Sequence, residues 1–188
     1  MTSMSTPPTP PRARPVAGSW ALFLVLGALA LLPGGCGREG GGTGGGPSVP
    51  APDFDLEKVG GGRLKLAELR GQLVLLDFWA TWCVPCVKSI PELNTLYRRH
   101  REEGFTVVGL AVEDLEAEPL AAWLEERSVD YPVARTDTEL AGRYAAYEFP
   151  KHVLISREGR VLESFEPGFH SLDELEAKIA PHLARTGG

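Results

Sequence analysis

Two stretches of this chain are apolar almost without interruption, and both are short. Leu73-Val74-Leu75-Leu76-Asp77-Phe78-Trp79 and Phe105 to Val112 have the length and composition of buried strands. Between them, Val87 to Arg99 carries Val87, Ile90, Leu93, Leu96 and Tyr97 at helical spacing. Upstream, Asp53-Phe54-Asp55-Leu56 and Arg63-Leu64-Lys65-Leu66 alternate in polarity around Gly60-Gly61-Gly62, which predicts a hairpin. Ala67 to Gly71 reads as a short turn of helix ended by glycine. Downstream, Pro119 to Arg127 is an amphipathic helix with Leu120, Trp123 and Leu124. Tyr131 to Ala134 follows as a short strand or extended link, and Glu139 to Tyr147 as a short helix. Val153-Leu154-Ile155 and Val161 to Phe165 flank Arg157-Glu158-Gly159-Arg160 as a second hairpin. The last helix runs from Leu172 to about Leu183, with Ser171 as N-cap and Glu174 completing a capping box. Strand–helix alternation implies parallel pairing, and the late hairpin adds antiparallel strands. The expected class is α/β, with a central mixed sheet flanked by helices.

The pattern is different before residue 51. Arg12 and Arg14 make a basic start, and Trp20 to Leu32 is a 13-residue apolar run broken only by Gly27. A spanning helix needs about 20 apolar residues, so the run reads as the hydrophobic region of a signal peptide. Leu31-Leu32-Pro33-Gly34-Gly35-Cys36 then resembles the lipobox of bacterial lipoproteins, in which the leader is cut before the cysteine and the cysteine is lipidated. Pro33 departs from that pattern, which usually has Leu there; a simple signal peptide and an uncleaved anchor are the alternatives. Gly37 to Pro50 is glycine-rich and reads as a disordered tether. Such a segment reaches about 20 Å on average. The expected division is a signal peptide over 1–36, a linker over 37–50 and one domain over 51–185.

Charge agrees with that division. The chain has 19 basic and 25 acidic residues, and the leader holds two of the former and none of the latter, leaving 17 against 25 and a net of −8. No basic stripe or aromatic–basic interleaving is present, which argues against nucleic acid as a partner. The domain is long enough for its own core, and a monomer is expected.

Cys83 and Cys86 fall where the first buried strand hands over to a helix. Two cysteines at this spacing can close a small disulfide ring and reopen it, a two-electron switch. The attacking species is a thiolate, which the unpaired N–H groups and partial positive charge of a helix start favour. Cys83, nearer solvent, is expected to attack, and Cys86, one turn further on the same face, to resolve the mixed disulfide. Pro85 suits an early helical position, where its missing N–H costs nothing. Half of a zinc site is a competing reading, but it lacks ligands: Cys36 belongs to the leader and the four histidines are scattered singly. An inert disulfide fits poorly with the tight loop and its aromatic, proline-bearing setting. No metal and no cofactor beyond the redox-active disulfide are expected.

Phe78-Trp79-Ala80-Thr81-Trp82-Cys83-Val84-Pro85-Cys86 closely resembles the active-site segment of the thioredoxin superfamily, and within it of the TlpA/ResA-like branch of exported thiol–disulfide oxidoreductases. The resemblance covers nearly all of 51–185, with Leu69-Arg70-Gly71 similar to the branch's lead-in. It implies a thioredoxin-like fold with an N-terminal β-hairpin and a helical insert around Pro119 to Arg127. Trp82 and Pro85 then shape the site, and Pro91 matches the proline that kinks the family's active-site helix. Pro150 resembles the cis-proline that packs against the redox pair and holds an extended substrate segment, which makes Phe149 and Pro150 substrate-binding residues. A trans-proline in a turn is the alternative. Asp77 stands at the position of the buried acid beneath the second cysteine, an implied proton acceptor for Cys86. The alternative is a charge tolerated at a strand end, although an acid in so apolar a run is costly unless used or paired.

The chain departs from the family in several places. Many branch members carry an acid three residues after the second cysteine, where this chain has Ser89. Phe149 is bulky, and Lys151-His152 follow the proline where small hydroxyl residues are common. His152 reads as a strand residue with a satisfied ring, with a proton relay as the sharper alternative. Glu113, Asp114, Glu116 and Glu118 read as a solvated acidic loop, with a docking surface for a basic partner as the alternative.

The resemblance implies an extracytoplasmic protein disulfide oxidoreductase, tethered on the periplasmic side of a membrane through lipid on Cys36, or secreted if unlipidated. Its partners are a disulfide-containing client protein and a membrane thiol carrier that supplies electrons. The branch favours reduction, including service of cytochrome c maturation. The same residues run backwards make an oxidase, since about 30 mV shifts the couple by about 1.4 kcal/mol. Copper-delivery relatives on this fold use cysteines three residues apart plus a distant histidine, a role for His152 or His170, but the spacing here is two. Peroxide reduction on this fold needs threonine three residues before the attacking cysteine, and Thr81 is only two before.

Overall fold

The computed structural model describes residues 49–183; Cys36 and the rest of the leader lie outside them, as do most of the tether and the last two residues of the expected domain. β1 (Asp55–Glu57) and β2 (Arg63–Lys65) pair antiparallel across Gly60, Gly61 and Gly62, whose φ values of 85°, 102° and 85° require glycine-like backbone. A single 3-10 turn, Leu66–Leu69, and Gly71 then lead into β3 (Leu73–Trp79), in which every residue is buried.

β3 is the centre of a five-stranded sheet with the order β5-β4-β3-β6-β7. β4 (Phe105–Val112) lies parallel to β3, and β5 (Val133–Thr136) parallel to β4. β6 (Lys151–Ile155) and β7 (Val161–Ser164) form the antiparallel hairpin, with β6 against β3. The sheet is therefore mixed, as expected. The nearly continuous apolarity of β3 and β4 follows from cover on both faces. Leu73, Leu75 and Trp79 pack with Leu93 and Leu96 of α1 (Val84–His100), Leu120 of α2 (Ala117–Glu126), and Leu175 and Ile179 of α4 (Leu172–Leu183). Val74, Leu76 and Phe78 face the other way, onto Leu140 and Ala141 of α3 (Thr138–Arg143) and onto Phe54, Leu64 and Leu66 around the hairpin. α2 is the expected insert between β4 and β5.

Several boundaries differ from expectation. Val49 and Pro50, expected in the tether, are paired: the Val161 N–H donates to the Val49 carbonyl at 2.9 Å and Pro50 bridges Arg160. A carbonyl needs no side-chain pattern to pair, so the packed chain starts two residues early. α3 stops at Arg143 rather than Tyr147, because Ala145 turns left-handed at φ 54°. Its start is set by Asp137, whose Oδ1 accepts the Leu140 N–H at 2.8 Å. α1 begins at Val84, three residues before Val87, which makes Cys83 its N-cap and gives Pro85 the early helical position expected of it. At α4 the capping box forms as expected: the Ser171 N–H donates to Glu174 Oε2 at 2.8 Å and the Glu174 N–H to Ser171 Oγ at 3.4 Å.

Arg157, in the β6–β7 turn, gathers the amino edge of the parallel strands. Its guanidinium donates to the carbonyls of Gly71 at 3.0 Å, Gly104 at 2.8 Å, Glu103 at 3.3 Å and Leu183 at 3.4 Å.

Candidate active site

The site is at the opposite, carboxyl edge. β3 ends at Trp79, and a tight turn closed by the Cys83 N–H on the Ala80 carbonyl (3.1 Å) delivers the chain to α1. Cys83 caps that helix in an extended conformation, and its Sγ accepts the Cys86 N–H at 3.3 Å. The sulfur thus occupies the place of a capping oxygen and meets one of the donors a helix start leaves unpaired. Pro85 lies in the first turn, where it forfeits no helical bond. Cys83 and Cys86 form a disulfide with Cα atoms 5.2 Å apart.

Cys83 was expected nearer solvent, but the two cysteines are 4% and 2% exposed. Exposure does not separate them; position does. Cys83 lies outside the helix between Trp82 and Val84, both of which are open to solvent, whereas Cys86 lies within the first turn. The Trp82 ring stands 6.2 Å from that of half-buried Phe149, so Trp82, Val84 and Phe149 make an apolar rim beside the disulfide. The Phe149–Pro150 peptide is cis, and Pro150 is buried at the entry to β6. Pro91 lies inside α1, solvent-exposed, and its carbonyl accepts the Thr95 hydroxyl at 2.8 Å. Ser89 is buried and spends its hydroxyl on the Pro85 carbonyl at 3.2 Å.

Asp77 is buried on the face of β3 that carries Leu75 and Trp79, the same cluster into which Cys83 and Cys86 pack. Its register partners are Gly109 on β4 and His152 on β6. Asp77 Oδ1 and His152 Nε2 are 3.3 Å apart, but off the line of a hydrogen bond, and neither atom has another hydrogen-bond partner. Orphaned atoms of this kind are rare in a folded interior and point to use. Tyr131 is buried close by; burial first, and the Asp77 charge second, push its phenol well above the ordinary tyrosine range.

The His152 ring is therefore not the satisfied strand residue expected. Its Nε2 is unbonded, and its Nδ1 is 3.3 Å from Nδ1 of His170, on the loop between β7 and α4. The acidic loop is not wholly solvated. Glu113 Oε1 accepts the Thr81 N–H at 3.0 Å and Oε2 its hydroxyl at 2.7 Å, which ties β4 to the redox loop. Asp114, Glu116 and Glu118 do remain exposed. One signal in the sequence pointed to Glu113: it directly follows a parallel strand, at the edge where α/β sites collect.

Among the described residues, no group of three or more His, Cys, Asp or Glu is arranged to hold a metal, and no helix is long and apolar enough to cross a membrane.

This geometry has known counterparts. The model of the AhpC/TSA family matches residues 47–164. The thiol-disulfide oxidoreductase ResA of Bacillus cereus is 32% identical over 135 residues, 70% of this chain and 77% of the relative. ResA of Bacillus subtilis is 32% identical over 114 residues, 60% of this chain and 63% of that protein. Among solved structures, a thiol:disulfide interchange protein of the thioredoxin family from Chlorobium tepidum superposes with a TM-score of 0.66 at 26% identity, covering 75% of this chain and all of its own. With its thioredoxin-like fold and its disulfide-bonded Cys83 and Cys86, the chain belongs to the AhpC/TSA family and to the ResA-like thiol–disulfide oxidoreductases.

Proposed function

We infer that the protein reduces disulfides of client proteins outside the cytoplasm. The observation that supports Cys83 as the attacking sulfur is the cap: its Sγ accepts a backbone N–H at the start of α1, an arrangement that stabilises a thiolate there, beside an apolar rim, while the reducing direction rests on the ResA-like relatedness. In the forward cycle, Cys83 thiolate attacks one sulfur of the client disulfide, forming a mixed disulfide and releasing the other client sulfur as thiolate. Cys86, giving its proton to Asp77, then attacks Cys83; the sulfur–sulfur bond to the client breaks and the second client thiolate leaves. Two electrons pass to the client, and the Cys83–Cys86 disulfide remains. A membrane thiol carrier restores the dithiol. Trp82, Phe149 and Pro150 receive the client segment.

The leader supports placement at the membrane. A lipid on Cys36 and the glycine-rich tether would hold the domain near the periplasmic face, where apocytochrome c disulfides are the client class that the ResA-like relatedness favours. The reverse reaction, disulfide formation, uses the same atoms. Peroxide reduction fits less well, because Thr81 is two residues before Cys83 and is held by Glu113.

Two measurements test the reading. A Cys86→Ser variant in its native host should retain the client covalently on Cys83, whereas Cys83→Ser should retain nothing; capture by neither ends the assignment of roles. The reduction potential of the pair should be well below about −120 mV, the range of a strong oxidant, and a value there would reverse the direction.

A further inference from the structure

The apolar rim raises a question of proton traffic. Asp77 is 2% exposed and Cys86 is 2% exposed, so a proton left on Asp77 while a client covers the rim has no exit on that side. On the other flank of Asp77, two histidines lead away. His152 Nε2 is 3.3 Å from Asp77 Oδ1, and His152 Nδ1 is 3.3 Å from His170 Nδ1. Phe165 lies edge-on to both rings, with centroids 6.0 Å and 5.5 Å away, and holds them in place. His152 is fully buried, whereas His170 is partly exposed and lines an open groove with Glu163, Ser164, Glu166 and Lys178. We propose that Asp77, His152 and His170 form a proton path from the buried active-site acid to solvent at the groove between β7 and α4.

The proton balance closes over a full cycle. When Cys86 attacks Cys83, its S–H proton goes to the Asp77 carboxylate. Asp77 passes it to His152 Nε2 while the His152 Nδ1 proton moves to His170, which releases one to water. When the pair is reduced again, a proton returns along the same atoms to Cys86, which restores the starting tautomer of His152.

The surroundings of His170 suit the exit. Burial first, then His152, lower its pKa from 6.5, so it sheds a proton readily at neutral pH. Lys178 on α4 acts in the same sense, while Glu174 on α4 and the Gly168 backbone oppose it. His152 faces Asp77 on β3, His170 on the loop and the Phe165 ring; Tyr131, also beside Asp77, stays protonated.

The inference rests on Asp77 as the acceptor for Cys86, and the test separates the two. The full chain carrying Cys36→Ser, reduced, is mixed with dithionitrobenzoate: the first coloured thiolate reports attack by Cys83, and the second reports resolution by Cys86. His170→Ala should slow the second phase about tenfold near neutral pH, leave the first unchanged and alter the pH profile of the second only. Added imidazole should restore the rate. His170→Gln, which can hold a hydrogen bond but carry no proton, should behave like His170→Ala. If His170→Ala resolves at the wild-type rate while Asp77→Asn is slow, the path is wrong and the acceptor stands. If Asp77→Asn also resolves normally, the acceptor and the path both fail. A wild-type rate for His170→Gln makes the role structural and overturns the proposal.

Discussion

Glu113 grips Thr81 with both carboxylate oxygens, one on the backbone N–H at 3.0 Å and one on the hydroxyl at 2.7 Å. The residues follow β4 and β3, so the clamp crosses the carboxyl edge of the sheet and fixes the loop that presents Trp82 and Cys83. A hydrogen bond to a charged group contributes about 1.5–3 kcal/mol, toward the lower end for a half-buried pair. Glu113→Ala should therefore speed hydrogen exchange of the Thr81 amide about tenfold and slow client reduction severalfold. Unchanged protection at Thr81 would show that the loop holds itself.

Gly109 is the β4 partner of Asp77 and has no room for a side chain. A Cβ there would meet Val133 Cγ2 at 3.0 Å and Trp79 Nε1 and Tyr131 Cε2 at 3.1 Å. Gly109→Ala should lose about 1–3 kcal/mol by overpacking and change the fluorescence of Trp79. A denaturation midpoint equal to wild type would contradict this.

Asn94 of α1 holds the turn before β5. Its amide donates to the Ser128 carbonyl and its Oδ1 accepts the Asp130 N–H, both at 2.8 Å, and Ser128 is left-handed at φ 52°. Asn94→Ala leaves these backbone groups unpaired and should cost about 1–3 kcal/mol, read from urea unfolding. Asn94→Asp keeps only the acceptor and should recover part of the loss.

His170 gives folding a pH dependence whose sign is set. Its proton affinity in the folded chain is below the ordinary value of 6.5, chiefly through burial. Above pH 6.5 it is neutral in both states; as the pH falls, the unfolded chain takes the proton first. Its contribution is thus complete above the unfolded pKa and lost as the pH falls through the folded one. Between about pH 7.5 and about pH 5.5, wild type should lose more stability than His170→Ala in paired denaturation curves.

The parts legible in the sequence were those governed by local rules. β3 and β4 announce themselves because both faces are covered, and Asp77 because an acid breaks so apolar a run. The Ser171–Glu174 box needs only four consecutive residues. What escaped depends on partners distant in sequence or on backbone shape. His152 meets His170 through a loop that no periodicity describes. Glu113 looks solvated because its neighbours Asp114, Glu116 and Glu118 are, and Ala145 ends α3 with a left-handed backbone that alanine seldom signals.

The four carbonyl contacts of Arg157 join the chain before β3, the turn before β4 and the end of α4, and none of them involves the redox loop. That anchorage and the disulfide therefore sit at opposite edges of the sheet. On the proposed function, substitutions at the exposed Trp82 and Val84 should change which client is taken while leaving the fold, tied down at the far edge, undisturbed.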